Sequence, residues 1–155
     1  MNIFVLDEDP VFAARMLCDK HVVKMVLESA QLLSTTYWHF GQEAPYKQTH
    51  KNHPCAVWAR TSSANYEWLW DHGMAIAEEY TYRYGKVHKS QAVIEKLAAL
   101  PVGIPMGNLT TFALAMPDKY KCDDVVESYR AYYIGDKGYM LSYKKREIPD
   151  WITSG

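Results

Sequence analysis

The stretch Cys18–Glu28, "CDKHVVKMVLE", decides how the chain is read, because helical periodicity there comes with an unusual polar side. At about 100° per residue, His21, Lys24 and Glu28 fall on one stripe, and Gln31 and Thr35 continue it. Val22, Val23, Val26, Leu27, Ala30 and Leu33 form the complementary stripe and are expected to face a core. A solvated surface would account for the polar stripe. Yet Glu28 is its only carboxylate, and a lone Glu among cations and histidines also suits a general base or a group that steadies a cationic intermediate.

Outward from this helix the punctuation is mostly local. "NIFVL" reads as a short extended arm, too isolated to build a sheet. Asp9-Pro10 has the form of an N-cap followed by proline at the first helical position, predicting a short helix toward Leu17. Asp19 is the start signal for the long helix, which should end near Gly41. The segment from Gly41 to Pro54 has no apolar period and is expected to be a loop of functional length. Pro54 can open another helix, Asn65–Tyr84 is strongly helical up to Gly85, and a further helix is expected over His88–Leu100. After an irregular stretch, a last helix begins behind the Asp caps of "DDVVESYRAYY", and the tail "REIPDWITSG" should lie extended. The expected fold is all-α: a single compact multi-helix domain over residues 1–155, with a short extended N-terminal arm and long functional loops.

Composition limits the functions open to such a domain. A formal net charge of −1 rules out a basic field over the whole molecule, so a nucleic-acid site must be a local basic and aromatic patch. The 12 Tyr and 5 Trp supply rings with polar tips, suited to half-buried grooves. Cys18, Cys55 and Cys122 are too few and scattered for a disulfide framework. No run is long and apolar enough for a membrane span, and "MNIFVLDEDP" turns acidic before any signal-like segment develops. A monomer in a reducing, cytoplasmic compartment is expected.

Several clusters could carry chemistry. Cys18 and His21 with His50 and His53 supply zinc-ligand types, but their spacing fits no common zinc site, so no metal and no cofactor are expected. In "THKNHP", His50, Lys51, Asn52 and His53 offer donors just before a helix start at Pro54, where anions such as phosphate bind. Arg60 adds a cation shortly after them. In "YTYRYGKVHK", Tyr80, Tyr82 and Tyr84 interleave with Arg83, Lys86 and His88, the alternation of stacking rings and phosphate-holding cations seen on nucleic-acid surfaces. Packing of Tyr80 on Tyr84 along one helix would account for part of it. No nucleophile elbow, P-loop or dinucleotide fingerprint is present.

Asp19-Lys20-His21, with Glu28 seven residues after the histidine, together with the arm "MNIFV", resembles the phage endonuclease V family, the pyrimidine-dimer DNA glycosylases. Weaker echoes follow in the helix after His53 and in the aromatic, basic C-terminal segment. The resemblance implies base excision from damaged or modified DNA. The N-terminal α-amine would attack the sugar C1′ to form an imine, and the carboxylate would stabilise and process it. It would make Met1 the nucleophile, Glu28 the carboxylate, and His21 a supporting group, with Lys24 beside them toward substrate. Two departures stand out: Leu27 and Gln31 occupy positions where the family has arginines, and Asn2 is too large for routine removal of Met1. A thymidine-hypermodifying transferase on the same scaffold, and a non-enzymatic nucleotide- or phosphate-binding protein, are the alternative readings.

Overall fold

The computed structural model describes residues 1–154, and all regular structure among them is helical. α1 (Pro10–Arg15) starts where expected, with Asp9 Oδ1 accepting the backbone N–H groups of Val11 and Phe12 at 2.8 and 3.1 Å. α2 runs Asp19–His39, α3 Pro54–Thr61, α4 Ser63–Tyr84, α5 Gln91–Lys96, α6 Val125–Lys137 and α7 Asp150–Thr153. Single 3-10 turns lie at Asp118–Tyr120 and Gly138–Met140. Gly85 closes α4 at φ 72°, a left-handed position that costs glycine nothing. Asp124 caps α6 by accepting the N–H of Glu127.

α2 and α4 cross at the centre, α1 packs on α4, and α3 and α5 lean on both. The crossing is close enough that a Cβ on Gly73 would lie 3.0 Å from the Ser29 Cβ, so the α4 side of the contact has no room for a side chain. Leu33, Leu69, Ile76 and Tyr66 fill the space around it. α5 is shorter than the expected His88–Leu100 helix. The reason is His88, which folds back on its own backbone: Nδ1 accepts the Ser90 N–H at 3.0 Å, and Nε2–H reaches the Val23 carbonyl at 2.9 Å.

The faces of α2 are not those expected from periodicity. Val22, Val26, Ala30 and Leu33 are buried, but Val23 and Leu27 are 41% and 39% exposed. His21, Glu28 and Thr35, on the polar stripe, are the buried ones. The cause is coverage from both sides. The core takes one face of α2, while the N-terminal arm and the 46–53 loop cover the polar face, leaving solvent a narrow third strip.

The arm is extended and pairs with no strand. It is held by side chains instead. Asn2 Oδ1 accepts the N–H groups of Ile3 and Phe4 at 2.7 and 3.0 Å, and Asn2 Nδ2 donates to the Ala115 carbonyl at 2.8 Å. This turn drives Phe4 to φ 55°, an unfavourable region for a bulky residue that costs on the order of 1–2 kcal/mol. His72 sits under the arm, fully buried, with Nδ1 2.9 Å from the Pro10 carbonyl and Nε2 3.3 Å from that of Ile3. Burial outweighs these two carbonyls and draws its pKa down to about 4, so the ring is neutral.

The tail is not simply extended, since Asp150–Thr153 forms the one-turn α7. It crosses back over the start of α2. Tyr143 donates to the Met16 carbonyl at 2.7 Å, and the Lys144 N–H donates to Asp19 Oδ1 at 2.9 Å. Asp19 is therefore the first residue of α2 rather than its cap, which is Cys18. Arg146 closes the tail on Glu79 of α4 through Nε and a terminal nitrogen, both at 2.9 Å.

Candidate active site

α2 brings His21, Lys24 and Glu28 to one wall of a cavity of about 120 Å³, and the arm brings Met1, Asn2 and Phe4 to another. The α-amine of Met1 lies 3.4 Å from Glu28 Oε1, and the same oxygen accepts the Asn2 N–H at 3.0 Å. The other carboxylate oxygen, Oε2, is buried without a hydrogen bond. The nearest cation to it is Lys24 Nζ at 3.6 Å, an ammonium group whose side chain is 67% exposed. A buried carboxylate oxygen left unsatisfied is unusual in a stable core and places negative potential in the cavity.

His21 has a defined chemical state. The Tyr133 hydroxyl accepts the Cys18 N–H at 2.9 Å and lies 2.7 Å from His21 Nδ1, to which it can give its own proton. Burial, then the charges of Lys137 and Lys24, lower the His21 pKa to about 4. The neutral ring thus carries its proton on Nε2, which makes it a donor toward the cavity and not a base. Phe4 stacks on it with centroids 4.4 Å apart and 21° between planes, which ties the ring to the arm.

α6 closes the cavity with Tyr132 and Lys137, neither of which follows from the α2 motif. Phe4 also stacks over Tyr132 at 6.1 Å and 14°. The aromatic and basic run of α6 signals that this helix carries binding groups, but only the fold says that they face Glu28.

The "THKNHP" loop reaches the same region. Thr49 and Thr35 bind each other through backbone and hydroxyl, pinning the loop to α2. His53 caps α3 by accepting the Cys55 N–H at 3.1 Å. Its pKa is lowered by burial first, then by the positive N-terminus and His50, with Glu28 opposing. That order places it within electrostatic reach of the Met1–Glu28 pair. His50 is exposed at φ 48° with Nδ1 on the Thr49 hydroxyl, and Lys51 and Asn52 are exposed beside it. Arg60 holds the loop from below by donating to the Lys51 carbonyl.

The second predicted cluster does not join them. Arg83 is not a phosphate ligand, because it is 2% exposed and its donors go to Glu79 at 2.7 Å, Asp19 at 3.1 Å and the Arg15 carbonyl at 3.0 Å. A guanidinium placed there shares the buried Glu79 with Arg146 and cannot turn outward without giving up all three of these partners. His88 is likewise excluded, with both ring nitrogens committed to backbone. Tyr80 packs against Tyr84 and His88, while Tyr82 is exposed under Arg146. Lys86 is exposed at the end of α4. No group of three or more His, Cys, Asp or Glu among the described residues is placed to hold a metal ion, and no described helix is long and apolar enough to cross a membrane.

The helical body holds its N-terminal amine against a buried carboxylate. Residues 1–92 match the family described as pyrimidine dimer DNA glycosylase, and the chain belongs to it. The match covers α1 to α4 and the start of α5, including the arm and every residue of the α2 wall. No curated protein and no solved structure matches the chain.

Proposed function

We propose that this DNA glycosylase-type protein releases a pyrimidine from dimer-containing or otherwise modified DNA, with the Met1 α-amine as nucleophile and Glu28 as its carboxylate partner. The observation that carries the proposal is the 3.4 Å approach of that amine to Glu28 Oε1 beside an unsatisfied second oxygen. Glu28 is placed to take a proton from the ammonium, freeing the nitrogen lone pair. The nitrogen then bonds to C1′, the C1′–N bond breaks, and the base leaves with the electron pair. Loss of a second nitrogen proton and cleavage of the C1′–O4′ bond, whose oxygen takes the proton that Glu28 received, give a protonated imine beside the again anionic Glu28. A neutral His21 can donate through Nε2–H to a sugar or phosphate oxygen without competing for the proton. Lys24 and Lys137 supply positive charge for phosphate at the rim, Lys51 adds to it along the loop, and His50, Asn52 and His53 offer hydrogen bonds there.

A cavity of about 120 Å³ is well below the size of a typical small-ligand site, so it fits the reacting sugar carbon while the rest of the nucleotide stays in the open groove. Incubation with dimer-containing duplex in the presence of borohydride tests the mechanism. An adduct mapped by mass spectrometry to Met1 is the expected result. Base release without a trappable adduct would rule out the amine route, and absence of release would rule out the activity.

A further inference from the structure

A nucleophile at a chain end has no side-chain rotamer to aim it, so it stands where the next residue holds it. Behind the Met1 α-amine that residue is Asn2, which is 9% exposed and uses both ends of its carboxamide. Oδ1 accepts the N–H groups of Ile3 and Phe4, and Nδ2 donates to the Ala115 carbonyl at 2.8 Å. The Asn2 backbone N–H donates at 3.0 Å to Glu28 Oε1, the oxygen that also faces the amine. Ala115 is braced in turn: its N–H meets the Tyr129 hydroxyl at 3.2 Å, and that hydroxyl donates to the Ala113 carbonyl. Tyr129 is fully buried on α6. Both Ala115 and α6 lie beyond residues 1–92, so the matched segment carries the amine and the carboxylate but not this support.

Asparagine is the side chain that meets all of these demands. An acceptor on Cγ closes the turn over the next two N–H groups, and a donor on the same carbon reaches Ala115. Aspartate lacks the donor and would set a second anion beside Glu28. Serine has a single polar atom, which cannot stand in both places. Glutamine carries the right atoms one methylene too far out. Size enters as well. Asn2 is too large for routine removal of Met1, so the residue that aims the terminal nitrogen also keeps that nitrogen on Met1.

We propose that Asn2 is a positioning residue for the reaction, its carboxamide holding the Met1 nitrogen at Glu28 by tying the arm to the 113–115 segment. The inference rests on the glycosylase reading above and assigns the side chain that gives it its geometry.

Two variants test it. Asn2→Leu keeps the branched shape and removes both anchors, while Asn2→Gln keeps the carboxamide and displaces it. Both are large enough to retain Met1, which intact mass checks, and melting curves establish that folded chains are compared. The first measurement needs no DNA: a small amine-reactive reagent labels Met1, and mass spectrometry follows the rate. Labelling should be about 10-fold faster in both variants, the worth of one or two hydrogen bonds. The second is affinity and single-turnover base release on a dimer-containing duplex. Affinity should stay close to wild type while the rate falls about 100-fold, the cost of misplacing a reacting group by about 1 Å. Labelling as slow as in the wild type overturns the assignment. So does faster labelling with an unchanged rate on DNA, or full activity in Asn2→Gln. Faster labelling in the variants with no base release by the wild type sinks the glycosylase reading and leaves the hold on the amine standing.

Discussion

Glu28 and Glu79 are both carboxylates buried on the central helices, and they are treated in opposite ways. Glu79 is surrounded: Arg83 Nε at 2.7 Å and two nitrogens of Arg146 at 2.9 Å satisfy both of its oxygens. Glu28 receives one backbone N–H and one amine on Oε1, while Oε2 has no hydrogen bond. A saturated buried carboxylate fixes geometry and has nothing left to give. An unsaturated one keeps its attraction for positive charge, which a cationic intermediate can answer. The fold thus saturates one of these groups and leaves the other with an open oxygen.

Substitution should separate the two roles. Glu28→Gln keeps size and helix propensity but cannot accept a proton, so turnover should fall 10²–10⁴-fold while the melting temperature and DNA affinity stay close to wild type. A loss under about tenfold in a single-turnover assay would reduce Glu28 to a structural partner of Lys24. Glu79→Gln should do the reverse. It leaves Arg83 with Asp19 as its remaining counter-charge and takes the anion from Arg146, and is expected to cost about 1–3 kcal/mol in chemical denaturation, with turnover unchanged where the variant is folded.

Acid should reach the two regions in sequence. His21 and His72 have an ordinary pKa of 6.5 and fall to about 4 in the fold, burial being the main cause for both. The unfolded chain therefore takes up protons that the folded chain refuses, so stability is complete above 6.5 and declines as pH drops toward 4. At pH 5 the loss is on the order of 2 kcal/mol per histidine, and denaturant midpoints at pH 7 and pH 5 measure it. Burial alone would raise the Glu79 pKa, but hydrogen bonds from Arg146 and Arg83 outweigh this and lower it. Its contribution is present above the ordinary value of 4.5 and is lost only as pH falls below it. A profile flat between pH 7 and pH 5 would contradict the neutral, buried histidines.

The smallest expected effect is in salt dependence. With a net charge of −1 the DNA footprint is local, and the slope of log affinity against log salt should be on the order of −3 to −5. Lys51→Ala, at the loop by the cavity, should reduce that slope by about 1 for all sequences alike. If Lys86→Ala did as much, the footprint would extend to the far end of α4.

Features governed by near neighbours were legible in the sequence. Asp9 with Pro10, Pro54, Gly85 and Asp124 mark helix ends by their own backbone chemistry, and the structure has helix ends at each. The common stripe of His21, Lys24 and Glu28 was equally legible. Which side of α2 met solvent was not, because periodicity shows that faces differ and not what a loop from residues 46–53 will cover. Tyr132 and Lys137 were out of reach for the same reason, since only tertiary packing brings α6 to the arm. Arg83 shows the converse. Its i,i+4 partner Glu79 was in plain view, but Asp19, the Arg15 carbonyl and the Tyr143 ring, which complete its surroundings, come from distant segments.

The cavity's two walls are also made at different times. Residues 1–4 leave the ribosome long before residues 132–137, and at about 5–20 residues per second the interval is on the order of ten seconds. Until α6 arrives, Phe4 lacks its packing against Tyr132 and Tyr133, and its unfavourable backbone is offset by the His21 stack and the Asn2 hydrogen bond without those rings. The arm of a nascent chain should therefore be held more loosely, and be more open to protease, than in the finished fold. A chain stopped before residue 125 would capture that interval: it should be cut within residues 1–6 where the full chain is not. Completion of α6 should thus set when the arm takes its final seat.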